Sequence, residues 1–329
     1  MKIFVIDKKY EELKKKNLQR NIIIETGILR ALFTCFFCRG CIIYSAKEKK
    51  ILNFFQSFFR IPYLYGSIQS IVQFENQYAK VKHVEIPILM YHQFVLKPEE
   101  GGKIKLFVTK RQFEIHLKIL KLLNYNTITF EELKQIGLHN RFNKKYIILT
   151  VDDGYKDNYT ILFPLLKKYK MKAVIFWVSG IKTNKWTIKS DGEKEIHLLD
   201  DSQILEMQNS GLIEFGGHTL THPSLKKLDD IDATREIIED KKNIERTLGK
   251  TLTAFAYPYG HRKESTKKIV EKAGYFFAVS TDTGSGIITE DYYDIRRTAI
   301  DKTSLFDFIR KISPGYLQYK AKKYRNRRR

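Results

Sequence analysis

Two adjacent acids close a strand-like run. Tyr146, Ile147, Ile148, Leu149, Thr150 and Val151 lead into Asp152, Asp153 and Gly154. Well downstream lie His218 and His222, with Thr219, Leu220 and Thr221 between them. Two imidazoles and one carboxylate are enough to hold a divalent ion and leave a position open for water, the arrangement of hydrolytic metal sites. The second carboxylate is then free to take the water's proton. A group that protonates a leaving nitrogen completes such a set, and a histidine, titrating near neutrality, suits that role.

Each motif has a plainer use. Asp-Asp-Gly also makes a turn, and a histidine often satisfies a core hydrogen bond. His218 and His222 either share one helical face or straddle a turn, Pro223 arguing against continued helix. What favours chemistry is their position. Reading 3.6- and 2-residue periods from residue 84 onward gives alternating strands and helices. Strands are expected at 86–90, 146–151, 173–178, 213–215, 253–256 and 276–280. Helices are expected at 109–123, around 164–169, and at 201–210, 229–248, 264–273 and 304–312. Thr129 is a plausible N-cap with Glu132 three positions on. This alternation implies an α/β fold with a parallel sheet curled into a barrel. Reactive groups in parallel barrels gather at the carboxyl ends of strands. His92, Asp152, His218 and Tyr257 each follow an expected strand.

Lys and Arg number 59 against 37 acids, a formal charge of +22, which favours anionic partners. Residues 320–329 hold seven basic residues and no acid. They form either a solvated tail or an electrostatic anchor for an anionic membrane surface. Nucleic acid is disfavoured, since no recognition-helix, finger or RNA-binding pattern accompanies the charge. Cys35, Cys38 and Cys41, an odd number in a chain this long, argue against a disulfide framework. Their spacing of three could suggest a metal cluster, but a fourth cysteine is missing, and they read as structural or reduced thiols.

Residues 1–83 are expected to form a helical, basic, membrane-associated extension. The apolar stretch 22–44 is interrupted by Glu25, Arg30 and Arg39, which disfavours a spanning helix. Phe54, Phe55, Phe58 and Phe59 share one helical face with Lys47, Lys49, Lys50 and Arg60 as flanks. That fits a helix lying in a membrane interface, or one packing on the main domain. No basic-then-apolar leader opens the sequence, which sets the expectation of a membrane-associated protein on the cytoplasmic face. Residues 84–313 are then the catalytic domain and 314–329 a basic disordered tail.

Thr150-Val151-Asp152-Asp153-Gly154, His218-Thr219-Leu220-Thr221-His222 and Ala256-Tyr257-Pro258-Tyr259-Gly260 together resemble the first three motifs of the polysaccharide deacetylases, the nodulation-type carbohydrate esterases. The resemblance runs from about residue 86 to about 312. Ile88-Leu89-Met90-Tyr91-His92 and Phe107-Val108-Thr109 add likeness to the subgroup that deacetylates poly-N-acetylglucosamine, in which the motif order is permuted. The resemblance implies a distorted (β/α) barrel and a metal-dependent N-deacetylase. Asp152 matches the general base, and Asp153, His218 and His222 match the metal ligands. The backbone N–H of Tyr259 would help hold an oxyanion, and His92 matches the general acid.

The implied ion is divalent, zinc first, with cobalt, nickel or iron as alternatives. The implied partner is an N-acetylated glycan or a lipid-linked sugar. Many relatives begin the third motif with an arginine that braces the base. Here that position is Ala256, and Arg297 is expected to supply the charge in preference to Arg296. Trp186 is a candidate for stacking on sugar, Trp177 belongs to a core strand, and His261 is expected on a surface loop. The competing reading is a non-catalytic carbohydrate-binding or membrane-scaffold protein on the same barrel.

Overall fold

A computed structural model describes residues 86–137, 145–191, 194–281, 288, 291–301, 303–313 and 316, with the side chains of 189–191 set aside. Before residue 86 it describes only the backbone of four short strands. The chain divides into two compact units, the first covering Met1–Glu85 and the second Ile86–Ile309.

In the first unit, β1 (Lys2–Val5), β2 (Ile22–Ile24), β3 (Cys41–Tyr44) and β4 (Tyr63–Leu64) form one parallel sheet in the order β2-β1-β3-β4. This corrects the expected helical extension at those residues. Runs such as Ile22-Ile23-Ile24 and Ile42-Ile43 are β-branched, and their stiff side chains suit a pleated surface better than a helix. The aromatic helix expected at 51–59 lies outside the described residues. Among those described, no helix is long and apolar enough to cross a membrane. Tyr316, within the tail expected to be disordered, is buried, with the Arg310 guanidinium 5.2 Å from its ring centroid.

The second unit is built on β5 (Ile88–Tyr91), β9 (Lys145–Val151), β10 (Ala173–Trp177), β11 (Ile213–Gly217), β12 (Ala254–Ala256), β13 (Phe277–Val279) and β14 (Thr298–Ala299). Their order is β13-β12-β11-β10-β9-β5-β14, all parallel, with β8 (Tyr125–Thr127) also pairing β9. A short pair, β6 (Gln93–Val95) and β7 (Phe107–Thr109), stands beside the main sheet. The two edges meet through one segment. Val279 bridges Ile295 in parallel, and three residues later Thr298 pairs with Leu89. Ile295 N–H donates to Ala278 O and Ser280 N–H to Ile295 O, at 3.0 and 2.8 Å. The sheet thereby closes into a distorted barrel, as expected.

Helices α1 (Lys110–Leu122), α2 (Phe130–Ile136), α3 (Phe163–Tyr169), α4 (Lys185–Asp191), α5 (Asp201–Asn209), α6 (Asp230–Leu248), α7 (Glu264–Lys272) and α8 (Leu305–Lys311) follow or connect these strands. Their starts follow local capping chemistry. Thr109, Thr129 and Asp200 each accept from the N–H three residues on, and Gln112, Glu132 and Gln203 bond back. α1 buries Phe113, Leu117 and Leu120.

Strand alternation fills the barrel. Ile88, Ile148, Val174, Phe176, Ala254, Ala256, Phe277, Val279 and Ile295 form one buried cluster, with Phe130 and Leu133 of α2 packed into it. Where a strand gives two of these residues they stand two apart, the period of one sheet face. That parity decides what stands above the cluster.

Candidate active site

Following the inner face to the carboxyl ends, Ile88 and Met90 lead to His92. Ile148 and Thr150 lead to Asp152, and Glu214 and Gly216 lead to His218. Pairing of Tyr91 with Val151 places His92 next to Asp152. Ile295 belongs to the interior cluster, so Arg297 shares its face and Arg296 faces the other way. Strand period alone thus brings four expected site residues to one end of the barrel.

Asp153 would point outward on an ideal strand. Instead its φ is 75°, and Gly154 follows at 73°. Asp tolerates this left-handed region better than most residues. At Gly154 any Cβ would lie 2.7 Å from Trp177 Cδ1, so only glycine fits. This turn swings the Asp153 carboxylate back over the barrel mouth. The two histidines straddle a turn, as one of the two sequence alternatives had it. Thr219 and His222 have φ of 68° and 62°, and Thr219 Oγ1 accepts from His222 N–H at 3.0 Å. A buried β-branched residue in this region is strained, a condition that clusters at functional sites.

The result is convergence. Asp153 Oδ1 lies 3.4 Å from His218 Nε2 and 3.3 Å from His222 Nε2, all three residues buried. Two donors bound to a common ion at about 2.1 Å, at the tetrahedral angle, stand about 3.4 Å apart. The donor spacing therefore fits a divalent ion, and imidazole with carboxylate suits zinc and its neighbours. His218 Nδ1 bonds Ala256 O at 2.7 Å, which turns Nε2 toward the cluster. Burial pushes the His222 imidazole down against the pull of Asp153, favouring the neutral ring that ligates. Asp240 of α6 accepts the His218 backbone N–H at 2.9 Å and the Ser179 hydroxyl at 2.6 Å. It ties the ends of β10 and β11 together beneath the cluster.

Asp152 faces Arg297. Nη1 and Nη2 donate to its two oxygens at 2.5 and 2.6 Å. The guanidinium also donates to Thr150 Oγ1 and Ser280 O, at 3.0 and 2.8 Å. Burial acts to raise the Asp152 carboxyl, but the Arg297 charge and hydrogen bonds outweigh it and hold it below the usual range. His92 Nε2 lies 3.9 Å from Asp152 Oδ2, and His92 Nδ1 lies 3.7 Å from Asp301 Oδ1. These are ion-pair distances, longer than hydrogen bonds. Burial would lower the His92 imidazole, but Asp301, with Asp152 and Asp153, raises it to about 9.

The rim is aromatic. Trp186 stacks on the His222 ring at 4.4 Å between centroids, and Tyr259 meets the same ring edge-on at 4.7 Å. Tyr259 has φ 60° and keeps 46% of its surface exposed. Tyr155 is buried beside the site, and desolvation together with the Asp153 charge raises its hydroxyl well above the ordinary range. Trp177 is buried in β10, as expected. His261 is exposed, its Nδ1 2.9 Å from Ser224 Oγ. The sequence reading missed Asp301, Asp240, Tyr155 and the pair Asp157–Asn158. Tyr155, Asp157 and Asn158 stand next to a recognised motif; nothing local singles out Asp240 or Asp301.

Comparison with known proteins gives the family. Residues 139–278 match the family model for polysaccharide deacetylase. YxkH of Bacillus subtilis, a protein assigned to the polysaccharide deacetylases, is 33% identical over 220 residues, spanning 67% of this chain and 72% of that one. The chain belongs to the polysaccharide deacetylase family. The poly-beta-1,6-N-acetyl-D-glucosamine N-deacetylase of Staphylococcus aureus is 25% identical over 215 residues, spanning 62% of this chain and 71% of that one. Among solved structures, the Streptococcus pyogenes deacetylase PplD, determined with acetate, superposes with a TM-score of 0.56 at 27% identity. It covers 72% of this chain and 98% of its own. The polysaccharide deacetylase barrel is thus the one built here, and the Asp153, His218 and His222 cluster lies at its mouth.

Proposed function

We propose that this polysaccharide deacetylase removes N-acetyl groups from an amino-sugar glycan, a polymer or a lipid-linked sugar, by metal-dependent hydrolysis. The observation that carries the reading is the convergence of Asp153 Oδ1 with two imidazole Nε2 atoms at 3.3–3.4 Å, beside a second, arginine-held carboxylate. Asp153, His218 and His222 would hold the ion, zinc first among the divalent choices. Bound there, it would polarise the amide carbonyl and acidify a water.

The remaining steps belong to side chains. Asp152, kept ionised by Arg297, takes the proton of the attacking water. His92, kept protonated by Asp301, gives a proton to the leaving amine nitrogen. The Tyr259 peptide N–H is assigned to the developing oxyanion. Trp186 and the exposed Tyr259 ring offer apolar faces for a sugar. The similarity to the staphylococcal poly-N-acetylglucosamine enzyme supports the substrate class.

The run of basic residues at 320–329 supports an electrostatic hold on an anionic membrane, which would bring a lipid-linked sugar within reach. The deciding experiment is acetate release. Zinc- or cobalt-loaded protein is assayed on N-acetylglucosamine oligomers and on lipid-linked N-acetylated sugar. Release that depends on the ion supports the reading, and none from either substrate overturns it.

A further inference from the structure

Directly after the Asp152-Asp153-Gly154 turn, the chain makes a wide π-helical turn, Asn158–Leu162, before entering α3. Such turns are rare and collect at functional sites. Asp157 and Asn158, at its start, are not used in the mechanism above. Asn158 is buried and Asp157 half-buried, and both reach across to the segment that carries His92. Asn158 Nδ2 donates to His92 O at 3.2 Å. The same nitrogen donates to Asp157 Oδ1 at 2.8 Å. Asp157 Oδ1 also accepts the Phe94 backbone N–H at 3.1 Å.

His92 is the single residue between β5 and β6. Its own carbonyl and the N–H two residues on are therefore both fixed by one side-chain pair. On the other side of His92 the Tyr91 carbonyl accepts the Asp152 N–H at 2.9 Å, so the backbone is held before and after His92 and has little freedom to carry the imidazole away from the site. The pin is rooted four and five residues after Asp153, so a single stretch of chain presents the metal-site carboxylates and sets the opposing histidine against them. The arrangement is also expensive to keep without a use. The Asp157 carboxyl is pushed up to about 7, chiefly by desolvation.

We propose that Asp157 and Asn158 are positioning residues, which hold the His92 peptide so that its imidazole meets the leaving nitrogen. The proposal rests on the deacetylase reading above. Its signature follows from leaving-group chemistry. An amine must be protonated to leave, whereas an aryl oxide such as 4-nitrophenolate leaves without help. A fault confined to His92 alignment slows amide cleavage and spares the aryl ester. General loss of structure slows both.

The test uses full-length, cobalt-loaded protein. Asn158→Asp keeps the size but removes the donor to His92 O. It should lower kcat for acetate release from N-acetylglucosamine oligomers about a hundredfold, within the usual range for a misplaced acid, with KM within threefold. Hydrolysis of 4-nitrophenyl acetate should stay within threefold of wild type, and the cobalt absorption spectrum should be unchanged. His92→Ala supplies the reference pattern. Asp157→Ala, which frees the Phe94 N–H instead, is read in the same way and keeps the test alive if Asn158→Asp does not fold. Equal losses on both substrates, or undiminished amide cleavage, would overturn the proposal. Wild-type protein inactive on the amide but active on the ester would instead remove the deacetylase reading.

Discussion

Arg297 and Asp152, 145 positions apart in sequence, form a two-point fork at 2.5 and 2.6 Å in which the arginine side chain has no solvent exposure. The arginine Cζ also lies 5.5 Å from the centroid of the Phe176 ring at the top of the barrel core. Ala256 leaves the usual bracing position without a charge, and the closing segment Ile295–Ala299 supplies it from the opposite edge of the sheet. The brace and the barrel closure are therefore one structural event.

Separating the fork should separate stability from chemistry. Arg297→Ala leaves a buried carboxylate unpaired and should cost about 3–5 kcal/mol of stability, read by denaturant unfolding. Arg297→Lys keeps a charge but not the planar fork, and should recover part of the stability and little of the rate. Asp152→Asn should lower kcat by about 10²–10⁴ while cobalt still binds with wild-type stoichiometry. Wild-type turnover in the Asp152→Asn variant would remove Asp152 as the base.

His92 and Asp301 make a second pair with a pH signature. The groups facing His92 are Asp301, Asp152 and Asp153, and their charges outweigh its burial. An acid with its pKa raised stays protonated to higher pH. Asp301→Asn removes one of those charges, so the alkaline limb of kcat/KM should move to lower pH by a unit or more. At pH 6 the variant should approach wild type, because His92 is protonated in both. A limb that stays in place would assign it to another group.

The metal reading predicts a linkage that needs no turnover. A ligand that binds only the folded state stabilises it by about 2.7 kcal/mol at a hundredfold excess over Kd. Zinc should raise the melting temperature of wild type, and chelation should reverse the rise. Asp153→Asn and His222→Ala should each remove most of the shift, while His92→Ala should keep it. An equal shift in all four proteins would place the ion elsewhere.

Much of this site is legible in the sequence, and the reason is local. Asp152, Asp153, His218 and His222 lie within short motifs; the strand period fixes the face of Asp152 and His218, and the left-handed turns at Asp153 and at Thr219 and His222 bring in the other two. Arg297 was legible only as an expected substitute for an absence at residue 256, and its shared parity with Ile295 decides it over Arg296. Asp301 was not legible. It is one acid among many until β14 pairs with β5 and brings it beneath His92, and long-range pairing leaves no local mark. The strands at 2–5, 22–24 and 41–44 were misread because polar and charged neighbours masked short β-branched runs within a stretch that otherwise resembled interfacial helix.

The basic carboxyl-terminal run makes its own prediction. If it binds anionic lipid at about 1 kcal/mol per residue near the surface, removing residues 320–329 should sharply weaken cosedimentation with phosphatidylserine vesicles. Wild-type binding should fall as salt shortens the screening length, and neutral vesicles should bind neither protein. Deacetylation of soluble oligomers should be unaffected by the deletion. Salt-independent binding would point to an apolar anchor instead.

Glu214 sits on the same inner face as His218, at the amino-terminal end of β11, far along the strand from the chemistry. It accepts the Glu131 backbone N–H at 3.0 Å, and its Oε1 has no partner among the described residues. Burial pushes its carboxyl up to about 7 from an ordinary value of 4.5. Between those values the folded protein holds a proton that the unfolded chain has released, so stability falls as pH rises through this window. Below about 4.5 both states are protonated and nothing is lost. Above about 7 the loss is complete, on the order of 3 kcal/mol for a shift of this size. Glu214→Gln keeps an acceptor for Glu131 N–H and never ionises. Its melting temperature should match wild type near pH 4.5 and exceed it by several degrees at pH 8, with acetate release unchanged at both. A gap that is constant across this range would mean that Glu214 does not titrate in the folded barrel.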